Sequence, residues 1–482
     1  MTNDHSPQGP TSLTRSVAHN TFYQVIGRSA SILLALVVFV LVARHLGVEG
    51  YGYFTTITAF LQFFGVVVDL GLYIYLAKTL GEPGIDERRI VGNVFTLRLV
   101  SAMVLLGAAP LLILAFPYPA VVKLGVAAMS ISSLFVTITQ VLAGLFQKTL
   151  RAGQFILGEV VGRVLMLGVT IAAIRLGAGV NGIVWTVVIS SAATFLITLM
   201  MARRLTRFRL EFDWPLWRAI LRTTWPIALS ILFNIVYFKA DTIILSLYYP
   251  ATDVGIYGAP YRVFEALISI PALFAGLLTP LLAAAFVTDY ARFNRILQRG
   301  FEMLLAAAVP LVVGTQFVAR DVMQLVAPGF AASAPVLRIL VFGTAAIFLG
   351  YLFSNTVVVV NRQRTMVWVY ATMAVSSVIL YWLTIPRFSY FGAASVTVLV
   401  ESVVAAAGAV VVLRTSRIRL AFGPTARIMA AGLLMAGMMW LVRSLPWYVN
   451  GSIGVAIYGL ALLFFRIIDR PLLKEVFGRS RP

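Results

Sequence analysis

The sequence predicts an all-α, polytopic membrane protein with about fourteen transmembrane helices. Hydrophobic residues make up 60% of the 482 residues and charged residues 12%, and the mean hydropathy is +0.93, outside the range of soluble domains. The hydrophobic residues form long runs, and roughly 20 apolar residues are enough for a helix to cross a bilayer core about 30 Å thick. The runs lack the two-residue alternation of β-barrel strands, so we expect helices.

The predicted spans follow one another along the chain and are separated by short gaps. They are residues 22–43, 53–77, 90–115, 124–145, 153–174, 181–202, 223–248, 255–285, 300–318, 335–359, 366–385, 391–413, 428–442 and 448–465. The eighth span is long and contains Pro271 and Pro280, which predicts a kinked or tilted helix. The thirteenth span is short because Arg427 precedes it.

The basic residues are distributed unevenly between the two sides of the predicted membrane protein. About two thirds of the 38 Lys and Arg residues fall at the N-terminus, in every second gap and at the C-terminus. The other gaps carry only Arg44, Lys123, Arg175, Arg320, Arg387 and Arg443. The positive-inside rule therefore predicts a cytoplasmic-membrane protein with both termini in the cytoplasm.

The spans and gaps predict two lobes and a C-terminal helical hairpin. The parts are a disordered N-terminus (1–19), a six-helix lobe (20–202), a basic interfacial linker (203–222), a second six-helix lobe (223–413), an extra helix pair (414–465) and a basic tail (466–482). Because six is even, both lobes enter the membrane from the same side, as parallel repeats do.

Several classes of function are disfavoured by the sequence. The basic charge lies in short loops beside helix ends, where anionic headgroups attract it, so we expect membrane lipids rather than nucleic acid as its partner. The chain has no Cys, its three His residues do not cluster, and it has neither a phosphate-binding loop nor a zinc motif. We therefore expect no metal, no cofactor and no enzymatic activity.

Charged residues inside the predicted spans mark the candidate site. Such a charge costs at least ~2.5 kcal/mol in hydrocarbon, so it usually faces a partner or a water-filled cavity. Arg28 and Asp69 lie at nearly equal distances on either side of a predicted turn near Val48. Lys239 and Arg262 flank a turn near Ala251 in the same way. The other charges considered are Arg98, Glu159, Arg163, Asp241, Glu265, Glu302 and Glu401.

Two interpretations of these charges remain open. In one, each cation neutralises a nearby acid and fixes helix packing, as Arg28 with Asp69 or an i,i+4 pair on one helix would. In the other, Arg28, Lys239 and Arg262 line a cationic cavity together with Asp69 and Asp241. Arginine suits a phosphate because its planar group donates two parallel hydrogen bonds. Asp241 has a third possible role as a carboxylate that couples transport to a cation.

Several stretches resemble a known family of membrane proteins. They are residues 20–28, 42–52 (VARHLGVEGYG), 69–72 (DLGL), 239–246 (KADTIILS) with 254–257 (VGIY), and 385–386 with 391–394. In order and spacing, the set resembles the Wzx-type oligosaccharide flippases, the polysaccharide-biosynthesis branch of the multidrug/oligosaccharidyl-lipid/polysaccharide (MOP) exporter superfamily. The resemblance covers most of residues 20–413.

The resemblance implies a fold and a function. It implies two six-helix lobes around a central cavity, and movement of a polyprenyl-(pyro)phosphate-linked oligosaccharide across the cytoplasmic membrane by alternating access. By position in the lobes, it places Arg28 and Arg262 where such flippases meet the carrier phosphates. A coupling ion (H⁺ or Na⁺) and glycan-assembly proteins are further expected partners.

Two other functions remain as alternatives. A cation-coupled multidrug antiporter of the MATE type would suit an acidic, apolar cavity, and the pair Arg28 and Arg262 disfavours it. A membrane scaffold for glycan assembly would need no cavity at all. The expected function is therefore that of a flippase in surface polysaccharide biosynthesis.

Overall fold

The computed structural model describes residues 10–467 apart from residues 70, 81–83, 149–151 and 206–208. Within that part of the chain, every regular element is helical. The α-helices are α1 (Pro10–Asp69), α2 (Leu72–Thr79), α3 (Glu87–Leu112), α4 (Ala120–Lys148), α5 (Ala152–Arg175), α6 (Val180–Leu205), α7 (Trp214–Tyr248), α8 (Ala251–Thr288), α9 (Tyr290–Val326), α10 (Ala334–Val359), α11 (Gln363–Ser416), α12 (Phe422–Leu441) and α13 (Trp447–Phe464). Short 3₁₀ segments cover Ile113–Ala115 and Pro328–Ser333. The predicted all-α class is confirmed.

Two of the helices contain a break, and each of them covers two predicted spans. The backbone leaves helical geometry at Gly47 (φ 64°) in α1 and at Ser389 (φ 48°) in α11. Gly47 has no Cβ and adopts this conformation at little cost, and the Ser389 hydroxyl donates to Asp253 Oδ2 at 2.7 Å. The described residues contain 12 segments that are long and apolar enough to cross a membrane. The chain is a multi-pass membrane protein.

Several helices begin earlier than the sequence predicted, among them α1 and α12. α1 begins at Pro10, so residues 10–19, predicted as disordered, are helical, whereas residues 1–9 lie outside the described part. Proline is favoured at a first helical position, and extending an existing helix adds one hydrogen bond per residue. α12 begins at Phe422 and includes Arg427, whose side chain is exposed. A long exposed cation can reach the membrane interface from within a helix.

The predicted linker is partly helical, because α6 ends at Leu205 and α7 begins at Trp214. We call the non-helical residues 209–213 the connector. The predicted basic tail 466–482 falls outside the described residues from 468 onward.

The connector is fixed to the start of α3 by side-chain hydrogen bonds. Asn93 Oδ1 accepts from the Asp213 N–H at 2.9 Å, and Thr96 Oγ1 accepts from the Glu211 N–H at 3.1 Å. Arg89 Nη2 donates to Asp213 Oδ2 at 2.5 Å. These bonds satisfy connector groups that have no helical partner.

The chain forms two compact units, Met1–Leu247 (unit 1) and Tyr248–Pro482 (unit 2). This division falls just before Tyr248, the last residue of α7, and the lobe bounds 20–202 and 223–413 stay predictions. One core cluster of unit 1 joins α2, α3, α4 and the start of α7, and includes Leu76, Val94, Phe146 and Ile220, all 0% exposed.

In unit 2, α12 and α13 pack against α9. Val309, Met435 and Leu462 belong to the buried cluster between these helices. The Tyr458 hydroxyl donates to the Ala306 carbonyl of α9 at 2.9 Å. The C-terminal hairpin is therefore held by both apolar packing and a hydrogen bond.

Candidate binding cavity

Unit 1 contains a cavity of about 620 Å³ between its membrane-spanning helices. Its polar lining residues come from α1, α4, α5 and α6. They are Arg28, Asp69, Ser132, Thr139, Gln140, Glu159, Arg163, Ser190, Ser191 and Thr194. The volume lies within the range of about 300–1,000 Å³ that is usual for ligand sites.

Close helix contacts at glycine position the charged residues of this cavity. A Cβ on Gly27 of α1 would collide with Ile156 of α5, so the two helices touch beside Arg28. A Cβ on Gly162 of α5 would collide with Thr194 of α6. The Ser190 hydroxyl donates to the Gly162 carbonyl at 2.8 Å and holds that approach. These contacts place α5, with its charged residues, beside the part of α1 that carries Gly27 and Arg28.

Arg98 of α3 lies behind the cavity wall and is fully buried, with 0% of its side chain exposed. Its Nη1 donates to Asp69 Oδ1 at 2.5 Å and to the Val68 carbonyl at 3.0 Å. Its other nitrogens donate to the Thr137 carbonyl and Gln140 Oε1, both at 3.3 Å. The guanidinium therefore joins α1 to α4 and neutralises Asp69.

The partner of Asp69 differs from the one that the first interpretation gave it. The sequence placed Arg28 and Asp69 at equal depth, and both do line the cavity, but Asp69 pairs with Arg98. Counting residues from the turn of a hairpin compares only the two spans of that hairpin. Arg98 lies on α3, outside this hairpin, and contacts Asp69 from there. The Arg28 side chain is exposed, and within the described residues it forms no ion pair.

The net charge of the wall follows from these positions. Arg28, Arg163, Asp69 and Glu159 line the cavity, and Arg98 neutralises Asp69 from behind. One formal positive charge remains. Arg163 and Glu159 are one helical turn apart on α5, and Arg163 Nη1 also lies 3.8 Å from the thioether of Met166.

Two predicted site residues on α7 do not line this cavity. Lys239 is 7% exposed, and its ammonium lies 5.8 Å from the ring centre of Phe238. Asp241 is 0% exposed, and its Oδ1 accepts from the Thr242 N–H at 2.5 Å and the Thr242 hydroxyl at 3.1 Å. Both side chains are thus buried and lie outside the cavity lining.

Arg262 and Glu265 belong to unit 2 and form a local pair on α8. Arg262 Nη1 donates to Glu265 Oε2 at 2.9 Å, with 42% and 22% of the side chains exposed. A partly exposed pair of this kind, three residues apart on one helix, contributes little to stability.

The last two predicted site residues, Glu302 and Glu401, also belong to unit 2. Glu302 Oε1 accepts from Gln298 Nε2 at 2.6 Å, and Gln298 Oε1 accepts from the Ala421 N–H that precedes α12. Glu401 is 6% exposed, on a stretch of α11 that packs against α10 at Gly350.

The uncharged polar residues of the cavity were not predicted from the sequence. Ser132, Thr139, Gln140, Ser190 and Thr194 sit in apolar spans without a charge to mark them. On α4, Thr139 and Gln140 follow Ser132 by seven and eight residues, and on α6 Thr194 follows Ser190 by four. Residues at these spacings share one face of a helix, and this pattern is the sequence signal that could have identified them. In the described part of the chain, no group of three or more His, Asp or Glu residues could hold a metal ion.

Comparison with known families gives one match across more than half of the chain. The model of the family described as polysaccharide biosynthesis protein matches residues 17–286. Comparison with curated proteins gives no match.

Solved structures show which fold this is. The lipid II flippase MurJ in an inward closed conformation is similar to this chain with a TM-score of 0.76 and 14% identity, covering 92% of this chain and 99% of that one. An inward-facing multidrug resistance MATE family transporter of the MOP superfamily has a TM-score of 0.63 and 16% identity, covering 83% and 95%. A MOP superfamily transporter from Pyrococcus furiosus has a TM-score of 0.56 and 16% identity, covering 86% of this chain and 96% of that one. The fold is that of the MOP superfamily.

Proposed function

We propose, since this chain belongs to the polysaccharide biosynthesis protein family, that it moves a polyprenyl-(pyro)phosphate-linked oligosaccharide across the cytoplasmic membrane by alternating access. The product would serve surface polysaccharide assembly. The carrier tail would stay in the bilayer while the polar head crosses through the protein. This route is needed because unpaired sugar hydroxyls are costly in hydrocarbon.

The observation that carries the proposal is the polar cavity of unit 1 with Arg28 exposed in it. Its wall keeps one formal positive charge after Arg98 neutralises Asp69. A guanidinium can bind a phosphate through two parallel hydrogen bonds, and these are strong where water is scarce. Arg28 is therefore our candidate for the carrier phosphate, with Arg262 as a second candidate on unit 2.

Flipping in proteoliposomes tests the role of Arg28. The substrate is a fluorescent polyprenyl diphosphate that carries an oligosaccharide, and a membrane-impermeant quencher reports its leaflet. We expect Arg28→Glu to lower the initial rate at least tenfold, because the charge at the phosphate site is reversed. Arg28→Lys should retain part of the rate, since it keeps the charge and loses the planar donor pair.

The control for this variant is Arg218→Glu, an exposed arginine near the start of α7 that does not line the cavity. It should flip at the rate of the unmodified protein. An Arg28→Glu protein that is folded, correctly oriented and fully active would contradict the proposed site. Arg262→Glu, assayed in parallel, tests the second candidate.

A second function is favoured by one carboxylate in the same wall. Glu159 lines the cavity and is not the partner of Arg98, and a carboxylate attracts cations such as the substrates of a multidrug antiporter. Efflux of a cationic dye driven by H⁺ or Na⁺, without flipping of the lipid-linked sugar, would support this function. A protein that does neither would support the scaffold, so the two assays separate all three functions.

A further inference from the structure

A second pocket of about 420 Å³ adjoins the cavity in unit 1. Asp69, Ser132, Val136 and Gln140 line both spaces, so they form a shared wall. The second pocket continues on the other side of that wall along α1 and α4, with Thr58, Gln62 and Ser133 among its lining residues.

The chemistry of this second pocket differs from that of the cavity. Among the described residues, Asp69 is the one charged residue that lines it, and Arg98 already donates to that carboxylate. No Arg or Lys of the described residues lines it. A phosphate would find no cationic partner there, whereas amide and hydroxyl groups suit a neutral ligand with many hydroxyls.

The amide of Gln62 on α1 offers an acceptor to such a ligand. Its Oε1 is buried, and within the described residues it has no hydrogen-bond partner. A buried acceptor without a partner destabilises the protein, because it has lost its hydrogen bonds to water. A ligand hydroxyl that donates to this oxygen would relieve this destabilisation.

The amide of Gln140 on α4 offers the complementary donors. Its Oε1 accepts from Arg98 Nη2, and a guanidinium can only donate, so the orientation of this amide is fixed by its partner. The Gln140 NH₂ group therefore turns away from Arg98, on a side chain that is exposed in the shared wall. A sugar hydroxyl both donates and accepts, which fits an acceptor at Gln62 and donors at Gln140.

We propose that the pocket of Gln62 and Gln140 binds the hydroxyl groups of the sugar next to the carrier phosphate, while the adjoining cavity binds the phosphate at Arg28. This assignment rests on the proposed function and adds to it the site that selects the sugar. The shared wall at Asp69 then marks the boundary between the phosphate and the first sugar.

Binding of two defined lipids to the full-length protein in nanodiscs tests the proposal. One probe is undecaprenyl diphosphate without a sugar, and the other carries a single N-acetylglucosamine. We expect Gln62→Leu and Gln140→Leu each to weaken binding of the sugar-bearing lipid roughly three- to tenfold, the effect of one lost hydrogen bond. Binding of the bare lipid should change less than about twofold in both variants. Arg28→Gln should weaken both lipids.

The matched control is Gln154→Leu, an exposed glutamine on α5 that lines neither space. It should bind both lipids like the unmodified protein, and thermal unfolding confirms that each variant is folded. The sugar pocket alone would be overturned if Gln62→Leu and Gln140→Leu weakened binding of the two lipids equally. It would also be overturned if neither variant weakened binding of either lipid. An unmodified protein that binds neither lipid would overturn the proposed function, and this inference with it.

Discussion

The hydrogen bonds of Arg98 predict that this side chain is essential for the stability of unit 1. α1 ends at Asp69, so the Val68 carbonyl lacks a partner within its helix, and Arg98 supplies one. The same guanidinium neutralises Asp69 and reaches two groups of α4, at Thr137 and Gln140. Replacing Arg98 with Met keeps most of the volume and removes all four bonds.

The loss of stability expected for Arg98→Met follows from the burial of the Arg98–Asp69 ion pair. Arg98 is 0% exposed and Asp69 is 20% exposed. Removing one partner of a buried ion pair costs about 3–5 kcal/mol, and the partial exposure of Asp69 favours the lower end of that range. In the double variant with Asp69→Leu neither charge remains, so part of the loss should be recovered, with a coupling of about 1–3 kcal/mol.

Equilibrium unfolding of the purified protein, by titration of a denaturing detergent into mild micelles, measures the free energies. The measurement forms a double-mutant cycle of four proteins: the unmodified protein, Arg98→Met, Asp69→Leu and the double variant. A cost below about 1 kcal/mol for Arg98→Met would show that the hydrogen bonds of Arg98 contribute little to the stability of unit 1. A coupling below about 0.5 kcal/mol would show that the two residues act independently.

Three further predictions concern the connector and the packing of α5. Asn93→Ala should speed proteolysis of the connector several-fold, because it removes the acceptor of the Asp213 N–H. Hydrogen bonding from Arg89 lowers the pKa of Asp213 below its ordinary value. Docking of the connector should therefore be complete above about pH 4 and should weaken as the pH falls through this lowered pKa. Hydrogen exchange of the connector amides measures this dependence. Gly162→Leu should lower the free energy of unfolding by about 1–3 kcal/mol by its collision with α6, measured in the detergent titration.

Each of these predictions has a matched control. Asn234→Ala changes an exposed asparagine of α7 and should leave proteolysis of the connector unchanged. Asp213→Asn should abolish the pH dependence of its docking. Gly168→Leu places the same side chain on α5 where a Cβ meets nothing within 4 Å, and should be tolerated. A Gly162→Leu protein as stable as Gly168→Leu would contradict the packing argument.

The span pattern made most of the fold predictable, because hydrocarbon admits little else than apolar helices. Where prediction failed, the reason lies at helix ends. Arg427 shortened the predicted thirteenth span, yet α12 begins at Phe422 and carries this exposed arginine in its second turn. Helix ends in water are set by local hydrogen bonds and side-chain reach, which a count of apolar residues does not contain.

The candidate site was predictable only in part. Charge inside a span marked Arg28 and Asp69 because it is expensive there, and both line the cavity. Their partners depend on which helices are neighbours in space, which one sequence does not contain. Uncharged residues such as Gln62 and Gln140 carry no comparable cost in a span, so only the structure separated them from ordinary polar positions.

Burial separates two kinds of intramembrane arginine in this chain. An arginine has five N–H donors, and Arg98 donates four of them to protein acceptors, with none of its side chain exposed. It cannot bind a phosphate without leaving Asp69 unpaired. Arg28 is exposed in the cavity, so it can bind a ligand anion at no such cost. Loss of Arg98 should therefore reduce flipping through instability of unit 1, whereas loss of Arg28 should reduce the rate in a protein that stays folded.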